Sequence, residues 1–244
     1  MSIDKYLGKT STYQTKERDA SLLVGEARQQ ITDKFDTGYD VWHCYETTFL
    51  VNDGMGGSRV SGITKIRFNV LKNPNLVESK SLKLYMFSHA DTMYVTEDAF
   101  CWQVRCDLVN VTGPDVVVNF FPVGTTVVYD DVSGYSCNPH LRSNCKVTGQ
   151  PDFGDLYTYA DTRIVSDFAR LDELAHENHF HEECVELIFD RLASASHPDN
   201  ALEVFAKYTR RGGIDIWPYR SKGLIMTRPE FLRMDILTNK TFRG

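Results

Sequence analysis

Two segments rich in β-branched and aromatic residues, Asp40–Val51 and Ser58–Leu71, flank the glycine-bearing run NDGMGG, and this arrangement constrains the fold more than any other feature. Such residues favour strands, and a short glycine-rich connection lets two strands turn back on each other. The spacing predicts a β-hairpin. Apolar residues then recur at helical intervals over Leu76–Ser88 and over Glu97–Val109, and VVVNFF after Gly113-Pro114 reads as a strand returning to the sheet.

The second half follows a similar plan. Strand-like residues fill Leu156–Val165, a helical stretch begins at about Ser166, and another spans His181–Ala193; strands are expected at Leu202–Tyr208 and Ile214–Trp217. Placing Pro114-Asp115 over Pro198-Asp199 sets Val104 against Ile188 and Leu108 against Leu192. The pattern suggests a weak internal repeat. Its physical meaning is an α+β chain of two antiparallel sheets, each covered on one face by helices, joined near Asp130–Asn138.

Composition narrows the classes. With 42% apolar and 25% charged residues, the 244-residue chain has the profile of a globular protein that buries a sizeable core. The apolar stretch Val116–Val123 is far shorter than the roughly 20 residues of a membrane-spanning helix, and the start MSIDKYLGKT lacks the apolar core of a secretory signal. A cytoplasmic location is expected. The six cysteines then read as reduced thiols, none paired as Cys-x-x-Cys, so no structural metal is expected. A net charge of −6 argues against affinity built on nucleic-acid phosphates, although Arg210-Arg211 forms a local basic cluster suited to a small phosphorylated ligand.

Four short segments carry chemistry-bearing residues. SNCKVTGQPDFG, Ser143–Gly154, places Cys145 and Asp152 around a Gly-Gln-Pro turn that can aim both at one pocket. A thiol needs a neighbouring base or a lowered pKa to act as a nucleophile, and Asp152 suits the proton transfer. Alone, the pair also reads as a small buried thiol beside a turn residue. VESKSLKLY, Val77–Tyr85, alone reads as the charged start of a helix; FHEEC, Phe180–Cys184, as an acidic first turn beside a surface histidine; YTRRGGIDIWPYRS, Tyr208–Ser221, as a hairpin about Gly212-Gly213.

In this order the segments ESKSLKLY, SNCKVTGQPDFG, FHEEC and TRRGGIDI, with LGKTSTY near Leu7 and DASLL near Asp19, resemble the 7-cyano-7-deazaguanine reductase (QueF) family, the nitrile reductases of queuosine biosynthesis, in its longer two-module branch. The resemblance implies tandem tunnelling-fold (T-fold) modules, 1–135 carrying ESKSLKLY and 136–244 carrying the cysteine, His-Glu and Arg-Gly pieces. It implies Cys145 as the nucleophile that forms a thioimide with the nitrile, Asp152 as proton donor, and His181 as a further catalytic group. Substrate contacts fall on Val77, Glu78, Ser79, His181 and Glu182, where carboxylates accept hydrogen bonds from the purine-like edge. Ser79, Lys80, Arg211 and Gly212 match NADPH-contacting positions, NADPH being the hydride-donating cosubstrate. A homo-oligomer is implied, with a dimer expected, and the resemblance implies a product that feeds transfer-RNA modification or a DNA modification.

The first half has no counterpart of Cys145 and the second none of ESKS, so the site is expected where modules meet, within one chain or across a subunit boundary. Lys146 stands where many relatives of the resembled family carry proline, which places a cation beside the thiol, and the connection between modules is shorter than the longer branch leads one to expect. The nearest alternative is a QueF-like amidinotransferase acting on the same nitrile without NADPH, and the intact ESKSLKLY favours the reductase. A T-fold cyclohydrolase lacks a convincing zinc-ligand set here. A non-catalytic deazapurine-binding protein would need neither the nucleophile nor the acid.

Overall fold

The glycine-rich run closes the expected hairpin. In the computed structural model, which describes residues 17–29, 31–125, 135–160, 174, 176–208 and 212–223, β2 (Thr37–Val51) pairs antiparallel with β3 (Ser58–Asn69). Asp53 braces the turn by accepting hydrogen bonds from the backbone N–H groups of Met55 and Gly57, and Gly57 adopts φ 94°, a conformation that glycine takes without strain. The returning strand is β6 (Val116–Pro122), which pairs with β3.

Helix α1 (Ser79–Ser88) starts later than the expected Leu76, because Asn75–Val77 forms a strand, β4, paired with β1 (Gly25–Ala27). Glu78 then caps the helix, its carboxylate accepting from the N–H groups of Lys80 at 2.9 Å and Ser81 at 2.6 Å. Helix α2 (Glu97–Thr112) runs past the expected Val109 to Gly113, whose φ of 131° ends it. Thr96 caps its start by accepting from the Ala99 N–H.

In the second half β7 (Ser136–Cys145) pairs with β8 (Pro151–Ala160), β8 with β10 (Leu202–Tyr208), and β10 with β11 (Ile214–Lys222); α3 spans His181–Ala195. Strand β7 was not anticipated because Pro139 interrupts it, and the ladder absorbs the proline in a register shift between Asn138 and Leu141. Strand β11 continues past the expected Trp217 through Pro218, and its pairing with β10 ends at Tyr219, beside the residue that has no N–H to offer. The expected strand residues 161–165 and the helix from about Ser166 lie outside the described residues.

The two expected sheets are one. Strand β2 pairs antiparallel with β11 from Thr37–Ser221 to Cys44–Ile214, which joins both halves in a nine-stranded sheet of order β6-β3-β2-β11-β10-β8-β7-β9, with β9 at Asn178–His179. Strand β5 (Met93–Tyr94) adds in parallel to β2, and β9 adds in parallel to β7, so the sheet is antiparallel except at these two short strands. It is open among the described residues. The fold is mixed α+β.

Register shows why all three helices share one face. Trp42 opposes Ile66 and Ile216, and Cys44 opposes Ile214, forming with Val104, Leu108 and Phe100 the core beneath α1 and α2. Val204 opposes Arg220, which has the same parity as Ile216, and Val204 packs with Val185, Ile188 and Phe189 beneath α3. Val104 and Ile188, matched in the proposed repeat, are both buried in these cores. The other face carries Tyr39, Tyr219, Phe205 and Tyr157 in one row across four strands.

Candidate active site

On the helix-covered face, over the β2–β11 seam, lies a cavity of about 510 Å³. Three structures rim it: the N-terminus of α1, the N-terminus of α3 and the turn between β7 and β8. Trp42, Leu76, Ile214 and Ile216 supply apolar walls, while Glu78, Lys80, Lys83, Asp152, His181 and Glu182 supply polar groups. That mixture suits a heterocyclic ligand fixed by a few directed hydrogen bonds.

The turn places Cys145 in the wall. The Cys145 N–H donates to the Gln150 carbonyl at 2.8 Å, and the Gly149 N–H donates to the Cys145 carbonyl at 2.9 Å. Gly149 has φ 64°, the left-handed conformation such a tight closure requires. Ser143 opposes Asp152 in the ladder, so Cys145, two residues on, projects to the same face as the carboxylate.

Asp152 and His181 meet directly, with Nε2 3.3 Å from Oδ2. The imidazole stacks on the Tyr208 ring, centroids 4.0 Å apart, and the Tyr208 hydroxyl lies 3.5 Å from Ser143 Oγ. Burial and neighbouring Cys184 hold the Tyr208 hydroxyl protonated, its pKa raised well above the usual value, so the residue serves as a platform.

Glu182 is buried, 4% exposed, in the first turn of α3. Burial raises its pKa from 4.5 to about 7, and nearby Asp40 adds to the rise while His181 opposes it. Asp40 belongs to a buried ion network. Its carboxylate accepts from Arg220 Nη1 at 2.8 Å and Arg28 Nη2 at 2.6 Å, and Glu186 accepts from Arg220 Nη2 at 2.7 Å. Burial alone would raise Asp40, but the two guanidinium groups hold it below the usual carboxylate range. Two acids and two arginines balance, and among the described residues burial and Asp40 outweigh the lowering that His181 and Arg28 exert on Glu182.

Of the residues singled out by sequence, Val77, Glu78, Ser79, Lys80, Cys145, Asp152, His181, Glu182 and Gly212 all line this one cavity. Arg211 lies outside the described residues. Glu78 is partly engaged by its own helix: Oε1 accepts from the Lys80 N–H and, at 3.4 Å, from the Ser79 hydroxyl, while Oε2 accepts from the Ser81 N–H and retains a further lone pair. Lys83 was missed: it lines the cavity, and a Cβ on Gly212 would sit 2.7 Å from its Nζ. Its sequence signal was its place three residues after Lys80, on the same side of a helix turn. Tyr208, Trp42 and the Arg28–Asp40–Arg220–Glu186 network had no local signal, since long-range strand pairing creates each relation. Among the described residues, no group of three or more His, Cys, Asp or Glu is arranged to hold a metal ion, and no helix is long and apolar enough to cross a membrane.

A mixed α+β scaffold gathers a thiol, a carboxylate–imidazole pair and a buried glutamate into one cavity, the arrangement of a candidate enzyme active site. Residues 16–120 match the family model described as the N-terminal part of nitrile reductase, 7-cyano-7-deazaguanine-reductase, and residues 151–224 match that of QueF-like protein. The chain is similar to the NADPH-dependent 7-cyano-7-deazaguanine reductases of Hydrogenovibrio crunogenus, 34% identical over 88% of this chain and 91% of the relative, and Paraburkholderia xenovorans, 34% over 88% and 92%. It is 31% identical to that of Acinetobacter baumannii over 92% of this chain and 96% of the relative. The chain belongs to the QueF family of nitrile reductases. At the level of that family its activity is nitrile reduction, an oxidoreductase chemistry.

Proposed function

We propose that this chain reduces the nitrile of 7-cyano-7-deazaguanine to the aminomethyl group through a thioimide on Cys145. The observation that carries the reading is the convergence of Cys145, the Asp152–His181 pair and Glu182 on one cavity. The Cys145 thiolate adds to the nitrile carbon, forming a C–S bond, while the nitrile nitrogen takes a proton from the Asp152–His181 pair. His181 holds the Asp152 carboxyl in place and passes it protons from outside the cavity. Glu182 and Glu78 accept hydrogen bonds from the ring and amino N–H groups of the heterocycle, and Trp42, Ile214 and Ile216 exclude water that would hydrolyse the thioimide.

Two molecules of NADPH, bound in turn, would each supply one of the two hydrides that four-electron reduction to an amine requires. The residues present fit it: Lys80 and Lys83 bring cations to the cavity, and Gly212, at φ 58°, lets backbone approach a ligand closely. Ser79 lines the same cavity, and Arg211, outside the described residues, joins the set on its sequence match alone. As the amine forms, the C–S bond breaks and the Cys145 thiol is restored.

The same reading takes 1–135 and 136–244 as T-fold modules, supported by the parallel course of hairpin, helix and returning strands in each half, and places a homodimer in the cytoplasm, its product serving transfer-RNA or DNA modification. Intact mass spectrometry of protein mixed with 7-cyano-7-deazaguanine should show a covalent adduct that Cys145→Ala abolishes. Two NADPH should be oxidised per amine formed. An adduct that survives in Cys145→Ala, or turnover without NADPH consumption, refutes the reading.

A further inference from the structure

The turn that carries Cys145 and the helix that carries His181 and Glu182 lie far apart in the chain, and little backbone joins them. Strand β9 contributes two residues, pairing Asn144 with Asn178 and Cys145 with His179. Two bonds flank it, both at the long end of the range: the Asn144 N–H donates to the Glu177 carbonyl at 3.2 Å, and the Lys146 N–H to the His179 carbonyl at 3.2 Å. A two-residue parallel pairing at a sheet edge is a weak tie.

The Lys146 side chain reinforces it. Its ammonium donates to Glu183 Oε1 at 2.6 Å and to Gln29 Oε1 at 3.1 Å, and it lies 5.0 Å from the centroid of the Phe180 ring. Glu183 is 3% exposed, and its second oxygen accepts the Phe180 N–H at 3.2 Å, closing the first turn of α3. The contact therefore joins the residue after the nucleophile to the residue after Glu182, and Gln29 adds a third point from the first half of the chain. Held this way, the ammonium faces α3, with its charge compensated by Glu183.

Resting on the reading of Cys145 as nucleophile, we propose that Lys146 is a positioning residue: its bridge to Glu183 and Gln29 fixes the Cys145 turn against the N-terminus of α3, and so sets the thiol relative to the group that protonates the nitrile and the carboxylate that holds the ring. Ground-state binding does not pass through this bridge, because Glu78, Glu182 and the apolar walls keep their own supports. A misplaced nucleophile lowers the rate of bond formation, by about 10- to 100-fold for displacements near an ångström.

Two measurements test this on the full-length protein. In Lys146→Met, amide hydrogen exchange across residues 144–150 should accelerate, Cys145 adduct formation and kcat should fall about 10- to 100-fold, and KM for the nitrile should stay within about twofold. Lys146→Arg retains a cation and should behave like the parent. Glu183→Gln keeps the cap but loses the charge, and should reproduce the Lys146→Met rate with an unchanged melting temperature.

Unchanged exchange in Lys146→Met overturns the bridge, whatever the activity. Faster exchange with an unchanged adduct rate overturns its catalytic consequence, as does a rate loss that Lys146→Arg shares in full. A parent protein that forms no adduct overturns the reading of Cys145 and the catalytic consequence with it, while the exchange comparison still decides whether the bridge exists.

Discussion

Replacing Glu182 with glutamine should make the ligand-free protein more stable above neutral pH. The carboxyl has a pKa raised from 4.5 to about 7, first by burial and then by Asp40. For an acid whose folded pKa is raised, the folded state binds more protons than the unfolded state between the two values, so stability falls as pH rises through that window. The cost is absent below about pH 4.5 and fully developed above about pH 7. At about 1.4 kcal/mol for each tenfold change in proton affinity, it reaches about 3 kcal/mol. Glutamine keeps the shape and carries no charge. Urea unfolding of Glu182→Gln and parent at pH 4 and pH 8 measures the effect: the two should be nearly equal at the lower pH, with the variant more stable by about 3 kcal/mol at the higher. A stability difference that is the same at both pH values refutes the argument. The variant should also lose affinity for the deazaguanine nitrile, because the strain relieved is the one that the N–H donors of the ring satisfy. Binding to the parent should release a proton between pH 5 and 7, read as a buffer-dependent heat in calorimetry.

Two further outcomes follow from buried charge and backbone geometry. Arg220→Met strands Asp40 and Glu186 without their shared guanidinium and should cost about 3–5 kcal/mol in urea unfolding, since Arg220 is fully buried and breaking one side of such a pair leaves uncompensated charge. Gly212→Ala forces an L side chain to φ 58° and pushes the Lys83 ammonium aside, so it should cost about 1–2 kcal/mol and raise KM for NADPH, with the rate of Cys145 adduct formation unchanged.

Legibility in the sequence followed locality. The β2–β3 hairpin, α2, α3 and β10 were readable because turn chemistry and apolar spacing act within a few residues. Strand β7 was not, because Pro139 contradicts a strand locally and only a bulge in the ladder with β8 accommodates it. The start of α1 lies three residues beyond the expected one because Leu76 and Val77 fit the helical spacing, yet Leu76 pairs with Glu26 and Val77 with Gly25. A union of both halves in one sheet is a contact between positions as distant as 37 and 221, and no local pattern encodes it.

That union also explains why residues that converge on one cavity stand out in the sequence while the groups that tune them do not. Cys145, Asp152, His181 and Glu182 stand out by residue type, and each sits at an element end where side chains have room to converge. What tunes them sits beneath. Asp40 comes from β2, Arg220 from β11 and Glu186 from α3, and they meet only because the seam brings β2 against β11 under the helix. The seam thus performs two tasks at once: it brings Glu78 and Lys80 of the first half to the cavity that holds Cys145 and Asp152 of the second, and it buries a balanced set of charges beside Glu182. On the proposed reading of Glu182 as a ring contact, a substitution that loosens the seam should disturb ligand binding before it unfolds the chain, since burial and Asp40 already hold that carboxyl above its usual range.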